Sequence, residues 1–121
     1  DKCRAGSHGT YTAKVDDLHE DYLRPQENGS HTDCDYLEIK NKNTVFTAIG
    51  NQPFSFNVSS YTQEELTKKK HSYELEPSGY TVVCLDYAQS GIGSNSCGPV
   101  LSEKYQLNQN HFEFDMTLIW K

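Results

Sequence analysis

The chain has 121 residues, the length of one domain, which leaves no room for two lobes with a cleft between them. Its 11 Lys and Arg against 17 Asp and Glu give a formal charge of −6, a field that repels phosphate backbones and anionic lipid and so argues against nucleic acid or a membrane as partner. Leu, Ile, Val and Phe make up about a fifth of the chain, near the lower limit for a self-sufficient core, whereas the 8 Tyr, 5 Phe and 1 Trp argue against disorder. This balance fits a β-rich domain, and equally a piece of something larger whose apolar face is completed by neighbours.

The first residues, Asp1-Lys2-Cys3-Arg4, lack the apolar core of a signal peptide, and no run approaches the length of a membrane span. A start at Asp rather than Met suggests a trimmed or processed chain. The four cysteines, Cys3, Cys34, Cys84 and Cys97, form no CxxC pair and no cluster at zinc spacing, so a structural metal site is not expected. Two disulfides are arithmetically open to a secreted protein, but Cys84 lies in the apolar run Thr81-Val82-Val83-Cys84-Leu85, where a free thiol packs as a small hydrophobe. The expectation is a reduced, cytoplasmic protein; the sequons at Asn28 and Asn57 would matter only outside the cell.

Residues 1–8 show no periodicity and are expected to form a loose terminus. Alternation from Thr10 to Val15 predicts a strand. Tyr22 to Asp33, with Pro25 and Asn28-Gly29, is a turn-rich connection. Cys34 to Lys40 and Thr44 to Ile49 read as two strands joined by a hairpin turn at Asn41-Lys42-Asn43. Phe54 to Val58 alternates as a further strand and gives way to one helix, roughly Tyr61 to Lys70, with a capping-box spacing from Ser60 to Gln63, early acids Glu64 and Glu65, and late lysines 68–70 that suit the macrodipole. After the Pro77-Ser78-Gly79 turn, Tyr80 to Tyr87 is an apolar strand. The glycine-rich stretch 89–99 follows, then strands at Leu101 to Leu107 and His111 to Trp120. Strands dominate, so the predicted fold is an all-β antiparallel sandwich with one short helix, a single domain over residues 1–121 or the C-terminal part of a larger one.

Few of these residues announce chemistry. Gly91-Ile92-Gly93 is not a dinucleotide loop, since the third glycine of that motif is replaced by Ser96 and no helix follows to hold a pyrophosphate. Cys97 could act as a nucleophile only with a histidine from a distant part of the chain, and an ordinary loop cysteine is the simpler reading. Glu27, Asp33, Asp86 and Asp115 have the residue type for glycoside hydrolysis, but their surroundings single out none of them. Ser94-Asn95-Ser96 is a compact polar set of the kind that hydrogen-bonds a sugar hydroxyl, and also of the kind a tight loop uses to satisfy its own backbone.

Three longer motifs can be read together. Tyr22-Leu23-Arg24-Pro25-Gln26-Glu27-Asn28-Gly29, Phe54-Ser55-Phe56-Asn57-Val58-Ser59 with Tyr61, Glu65 and Leu66, and Leu85-Asp86-Tyr87-Ala88-Gln89-Ser90-Gly91-Ile92-Gly93-Ser94-Asn95-Ser96-Cys97-Gly98-Pro99 resemble, in order and spacing, the C-terminal domain of the long β-galactosidases of glycoside hydrolase family 2. The resemblance runs from about Gly9 to Trp120. It implies the final part of a large antiparallel sandwich, similar to galactose mutarotase, that follows the catalytic barrel of a cytosolic enzyme hydrolysing lactose and other β-galactosides. By this resemblance the two catalytic glutamates and the magnesium ligands, with sodium also implied for the parent enzyme, lie on the barrel, and this segment itself is expected to carry no catalytic residue, cofactor or metal. The partner is that barrel, in the same chain or as a large subunit, and the substrate is a galactoside. One family position in the segment reaches the sugar pocket, a tryptophan stacking near the aglycone. Cys97 stands there instead, a smaller and softer contact, so Ser94, Asn95, Ser96 and Cys97 are the expected substrate-binding residues. The alternative is a free-standing carbohydrate-binding or assembly sandwich on the same scaffold. As a truncated sandwich the chain is also expected to self-associate through exposed edges.

Overall fold

The computed structural model describes residues 9–20, 29–89 and 99–121. Within them lies one four-stranded antiparallel sheet: β1 (His31–Lys40), β2 (Val45–Ser59), β3 (Val82–Asp86) and β4 (Met116–Trp120), with one short helix, α1 (Gln63–Lys68). Every other strand pairs with β2: β1 lies along one of its edges, while β3 and β4 share the other, end to end. The all-β, antiparallel, sandwich-like class expected from the sequence holds.

The β1–β2 hairpin turns where the asparagines predict. Asn41 N–H donates to Thr44 O at 3.0 Å, and the Asn41 side chain accepts from the backbone N–H groups of Asn43 and Thr44, each at 2.9 Å, the self-bonding that favours Asn in turns. The strands expected at Thr44–Ile49 and Phe54–Val58 are one strand with an interruption. Between the pairs Tyr36↔Ile49 and Cys34↔Phe54, β1 advances by two residues and β2 by five, so Gly50-Asn51-Gln52-Pro53 bulges out of the ladder with β1. Pro53 has no N–H to give to a central strand and belongs at such a break. Gly50 is required there because a Cβ would strike the carbonyl oxygen of Gln52 and come within 3.0 Å of Phe54 Cδ1. A smaller bulge interrupts β1, with Asp33 in the left-handed region at φ 55°, a conformation Asp tolerates better than most side chains.

Alternation along the ladder puts Leu37, Ala48 and Leu118 in one row and Ile39, Phe46 and Trp120 in another on the same face. The core on this face is small, made of Leu37, Ala48, Phe54 and Val58, with Phe54 1 % exposed. Leu118 and Trp120, on the same face, remain 43 % and 64 % exposed, so the apolar face extends past what these residues cover.

Four expectations are corrected. Thr10–Val15 is not a strand: residues 10–14 are irregular and exposed, and a 3₁₀ turn, Val15–Leu18, follows, closed by Asp17 N–H to Lys14 O. Its Val15 and Leu18 pack against the core, so these apolar residues serve a turn rather than a ladder. Leu101–Leu107 is not a strand either, because its backbone bonds locally through the 3₁₀ turn Glu103–Tyr105 and Gln106 N–H to Glu103 O. The last strand is shorter than expected, with residues 111–115 outside the ladder. The helix also starts later. Thr62, not Ser60, is its N-cap, accepting from Glu65 N–H at 3.1 Å, since Ser60 is occupied by a 2.8 Å bond from its hydroxyl to Asp16. Leu66 buries the helix against the fold, and Lys69 pairs with Glu65 at 3.4 Å. The Glu65 carboxyl is held below its ordinary range chiefly by the Glu76 N–H it accepts, with Lys69 adding to the effect.

Cys34 and Cys84 form no disulfide in the described structure. Burial pushes the Cys34 thiol above its ordinary value of 9.0, and the carboxylates of Asp33 and Asp35 push the same way. The folded chain thus holds this proton more tightly than the unfolded one. The resulting contribution to stability is whole below the ordinary value and is lost as pH rises through the raised one. Two outcomes are expected. Gly50→Ala should cost about 2 kcal/mol or more, because backbone must move to admit the methyl; an unchanged urea midpoint would contradict the bulge geometry. Iodoacetamide at pH 8 should modify Cys34 more slowly in the folded chain than in urea, and Asp35→Asn should speed the folded-state reaction; equal folded and unfolded rates would contradict the raised pKa.

Candidate functional site

The residues expected to touch sugar, Ser94, Asn95, Ser96 and Cys97, lie outside the described residues, as do residues 21–28 of the first motif and the terminus 1–8. What the structure describes is the scaffold from which these segments depart. His31, Phe56 and Leu85 form one row across β1, β2 and β3, and Ser55 pairs with Asp86 in the next. The start of β1, which residues 21–28 precede, and the end of β3, which leads toward residues 90–98, therefore flank the same short stretch of β2 on its two edges. The middle motif, Phe54 to Ser59, is that stretch.

On the β1 side, Gly29 sits at φ 68°, where a Cβ would run into Leu18 O, so the turn into β1 requires glycine. The His31 ring stacks on Phe56 with centroids 4.8 Å apart and planes 2° apart, and the Ser30 hydroxyl donates to Phe56 O at 3.5 Å. The buried His31 Nδ1 and, in the β2 bulge, Gln52 Nε2 find no hydrogen-bond partner among the described residues.

On the β3 side the chain leaves the sheet through Asp86-Tyr87-Ala88-Gln89. Because β3 and β4 lie end to end along β2, this exit abuts the approach to β4, and Asn51 N–H, in the bulge, bonds Asp115 O at 3.1 Å. The Tyr87 ring stacks on Phe112, with centroids 4.7 Å apart and planes at 18°, and meets Phe114 edge-on at 5.8 Å. Its hydroxyl donates to Gln109 Oε1 at 3.3 Å, and Gln89 Nε2 donates to Asp86 Oδ2 at 3.2 Å. Phe114 in turn packs against the core, so the exit is tied through Tyr87 to the most buried part of the molecule. Sequence reasoning did not single out Tyr87 or Gln109. The alternation of Phe112 and Phe114 was the available signal, but pairing them with Tyr87 requires the end-to-end placement of β3 and β4.

Of the four carboxylates that had the type for glycosidase chemistry, Glu27 lies outside the described residues; Asp33 occupies the β1 bulge, Asp86 bonds Gln89, and Asp115 is exposed beside the β2 bulge. Asp33, Asp86 and Asp115 lie on three different strands or their approaches. No group of three or more His, Cys, Asp or Glu among the described residues could hold a metal ion, and no helix among them is long and apolar enough to cross a membrane.

The family model described as beta galactosidase small chain matches residues 1–118. The chain is 52 % identical over 120 residues to a β-galactosidase of Actinobacillus pleuropneumoniae, an alignment covering 99 % of this chain and 12 % of the relative. It is 45 % identical over 104 residues to one of Staphylococcus xylosus, covering 86 % and 10 %, and 32 % identical over 126 residues to one of Kluyveromyces lactis, covering 100 % and 12 %. It thus spans roughly a tenth of the length of these curated relatives. With a family match over nearly its whole length, this chain belongs to the β-galactosidase small-chain family.

Proposed function

We propose that the chain works as the non-catalytic C-terminal portion of an enzyme that hydrolyses terminal β-D-galactosides such as lactose, supporting the catalytic barrel and lending residues 94–97 to the sugar pocket. The observation that carries this reading is the family match over residues 1–118 in a chain that spans 12 % of the A. pleuropneumoniae relative. Glycoside hydrolysis needs two carboxylates set across the scissile bond, and the resemblance assigns both, with the magnesium and sodium sites, to the barrel. The catalytic part, in cis or as a large subunit, is the proposed partner. The apolar face carrying Leu118 and Trp120 suits burial against such a neighbour and, in the isolated chain, self-association. Cys34 and Cys84, neither of them in a disulfide, suit a reducing, cytoplasmic setting.

In this reading Cys97 acts sterically. It lies beside the aglycone and shapes substrate preference by contact and by excluding water, without making or breaking a bond.

The complete enzyme carrying this chain should hydrolyse nitrophenyl β-galactoside, and the isolated 121 residues should not. No turnover by the complete enzyme, or turnover by the isolated chain that is abolished by Glu27→Gln, would overturn the proposal. In the complete enzyme, Cys97→Ser should change KM or the transfer-to-hydrolysis ratio by about threefold or less, the scale of one modest contact; a loss of kcat by several orders of magnitude would mean that the thiol does chemistry.

A further inference from the structure

We propose that the face of the sheet opposite the core is a second contact surface, packed in the complete enzyme against the catalytic part, so that this sheet is an inner layer covered on both sides. The inference rests on the reading of the chain as one portion of a larger galactosidase and adds a surface to that reading.

Residues paired directly across strands share a face, and successive rows alternate between the two. The core face of the β1, β2 and β4 ladder carries the rows Leu37, Ala48, Leu118 and Ile39, Phe46, Trp120. On the opposite face stand Tyr36, Ile49 and Thr117, then Glu38, Thr47 and Ile119, then Lys40 and Val45. β2 therefore runs Val45-Phe46-Thr47-Ala48-Ile49 without a charge on either face. A strand with one wet face alternates apolar with polar residues, whereas a near-continuous apolar run belongs to a strand covered on both. Tyr36 and Ile49 are a direct cross-strand pair, and they stand 51 % and 43 % exposed. An aromatic and a β-branched side chain set side by side on that face form a patch that a neighbouring layer would bury.

Charge and chain length favour the catalytic part over a second copy of this chain as the occupant. The ionic groups in the face, Glu38 and Lys40, close on each other at 2.7 Å, leaving an apolar patch beside a self-neutralised polar edge, the anatomy of an interface. A second copy would bring its own formal charge of −6 against the first, and that repulsion opposes association. The alignment covers 12 % of the A. pleuropneumoniae relative, so most of such an enzyme lies outside this chain and is available to cover the face.

The test is hydroxyl-radical footprinting of the complete enzyme, read at each residue by peptide mass spectrometry and compared with the same enzyme unfolded in urea. If the face is packed, Tyr36 and Ile49 should label about tenfold or more slowly in the native enzyme than in urea, as the core residue Phe54 does. If the face is open, Tyr36 should label at about half its unfolded rate, in keeping with its exposure in this chain, and the proposal is overturned. The occupant is read by replacing Tyr36 with the photo-crosslinking residue p-benzoylphenylalanine. The expected cross-link joins it to a peptide of the catalytic part. A cross-link to any peptide within residues 1–121, of the same or of a second copy, overturns the assignment. Hydrolysis of nitrophenyl β-galactoside by the same preparation separates the two readings. An inactive enzyme overturns the function proposed above, whereas free labelling of Tyr36 in an active enzyme overturns the surface alone.

Discussion

The fold depends on the break in β2. A continuous 15-residue strand would offer each neighbour one unbroken edge. Gly50 and Pro53 interrupt it, Gly50 because no side chain fits against the Gln52 carbonyl and Pro53 because it has no N–H to give the ladder. The edge facing away from β1 is thereby divided, and β4 takes the part from Phe46 to Gly50 and β3 the part from Ser55 to Ser59. All that lies between β3 and β4 in sequence, the glycine-rich stretch included, must leave and re-enter the sheet at this division. The small core sits on the same ground, for Ala48 and Phe54 flank the bulge from its two sides.

This placement bears on the proposed role of the chain within a larger enzyme. Rigid sheet lies beneath the exit, aromatic contacts tie the exit to that sheet, and the proposed sugar-facing residues come immediately after. Binding residues on loops positioned by a rigid scaffold are a common division of labour.

Much of this was legible in the sequence, for identifiable physical reasons. Local signals succeeded. Asn41-Lys42-Asn43 gave the hairpin because asparagine bonds its own backbone, and the acids and lysines around Gln63–Lys68 gave the helix because they complement its dipole. Local signals misled where alternation lacked a partner. Thr10–Val15 and Leu101–Leu107 alternate adequately, but a strand exists only where a second strand pairs with it, and both segments satisfy their backbone in 3₁₀ turns instead. The merging of two predicted strands into β2 was hidden for the same reason, since Pro53 reads as a terminator unless a partner, here β1, continues past it. For the site, the motifs pointed to residues 89–99 directly. The Tyr87 contacts were not legible, because they join positions more than twenty residues apart through strand order alone.

The central claim, that this chain completes a galactoside pocket without catalysing the reaction, is tested most directly by protection of the Cys97 thiol in the complete enzyme. Alkylation by iodoacetamide can be followed at each cysteine by peptide mass spectrometry, with and without a saturating, non-hydrolysable thiogalactoside. Occupancy of a pocket lined by Cys97 should slow its alkylation by about threefold or more, with Cys34 and Cys84 unaffected because they lie on β1 and β3. Alkylation of Cys97 at the same rate with and without the thiogalactoside, in an enzyme that hydrolyses galactosides, would contradict the account.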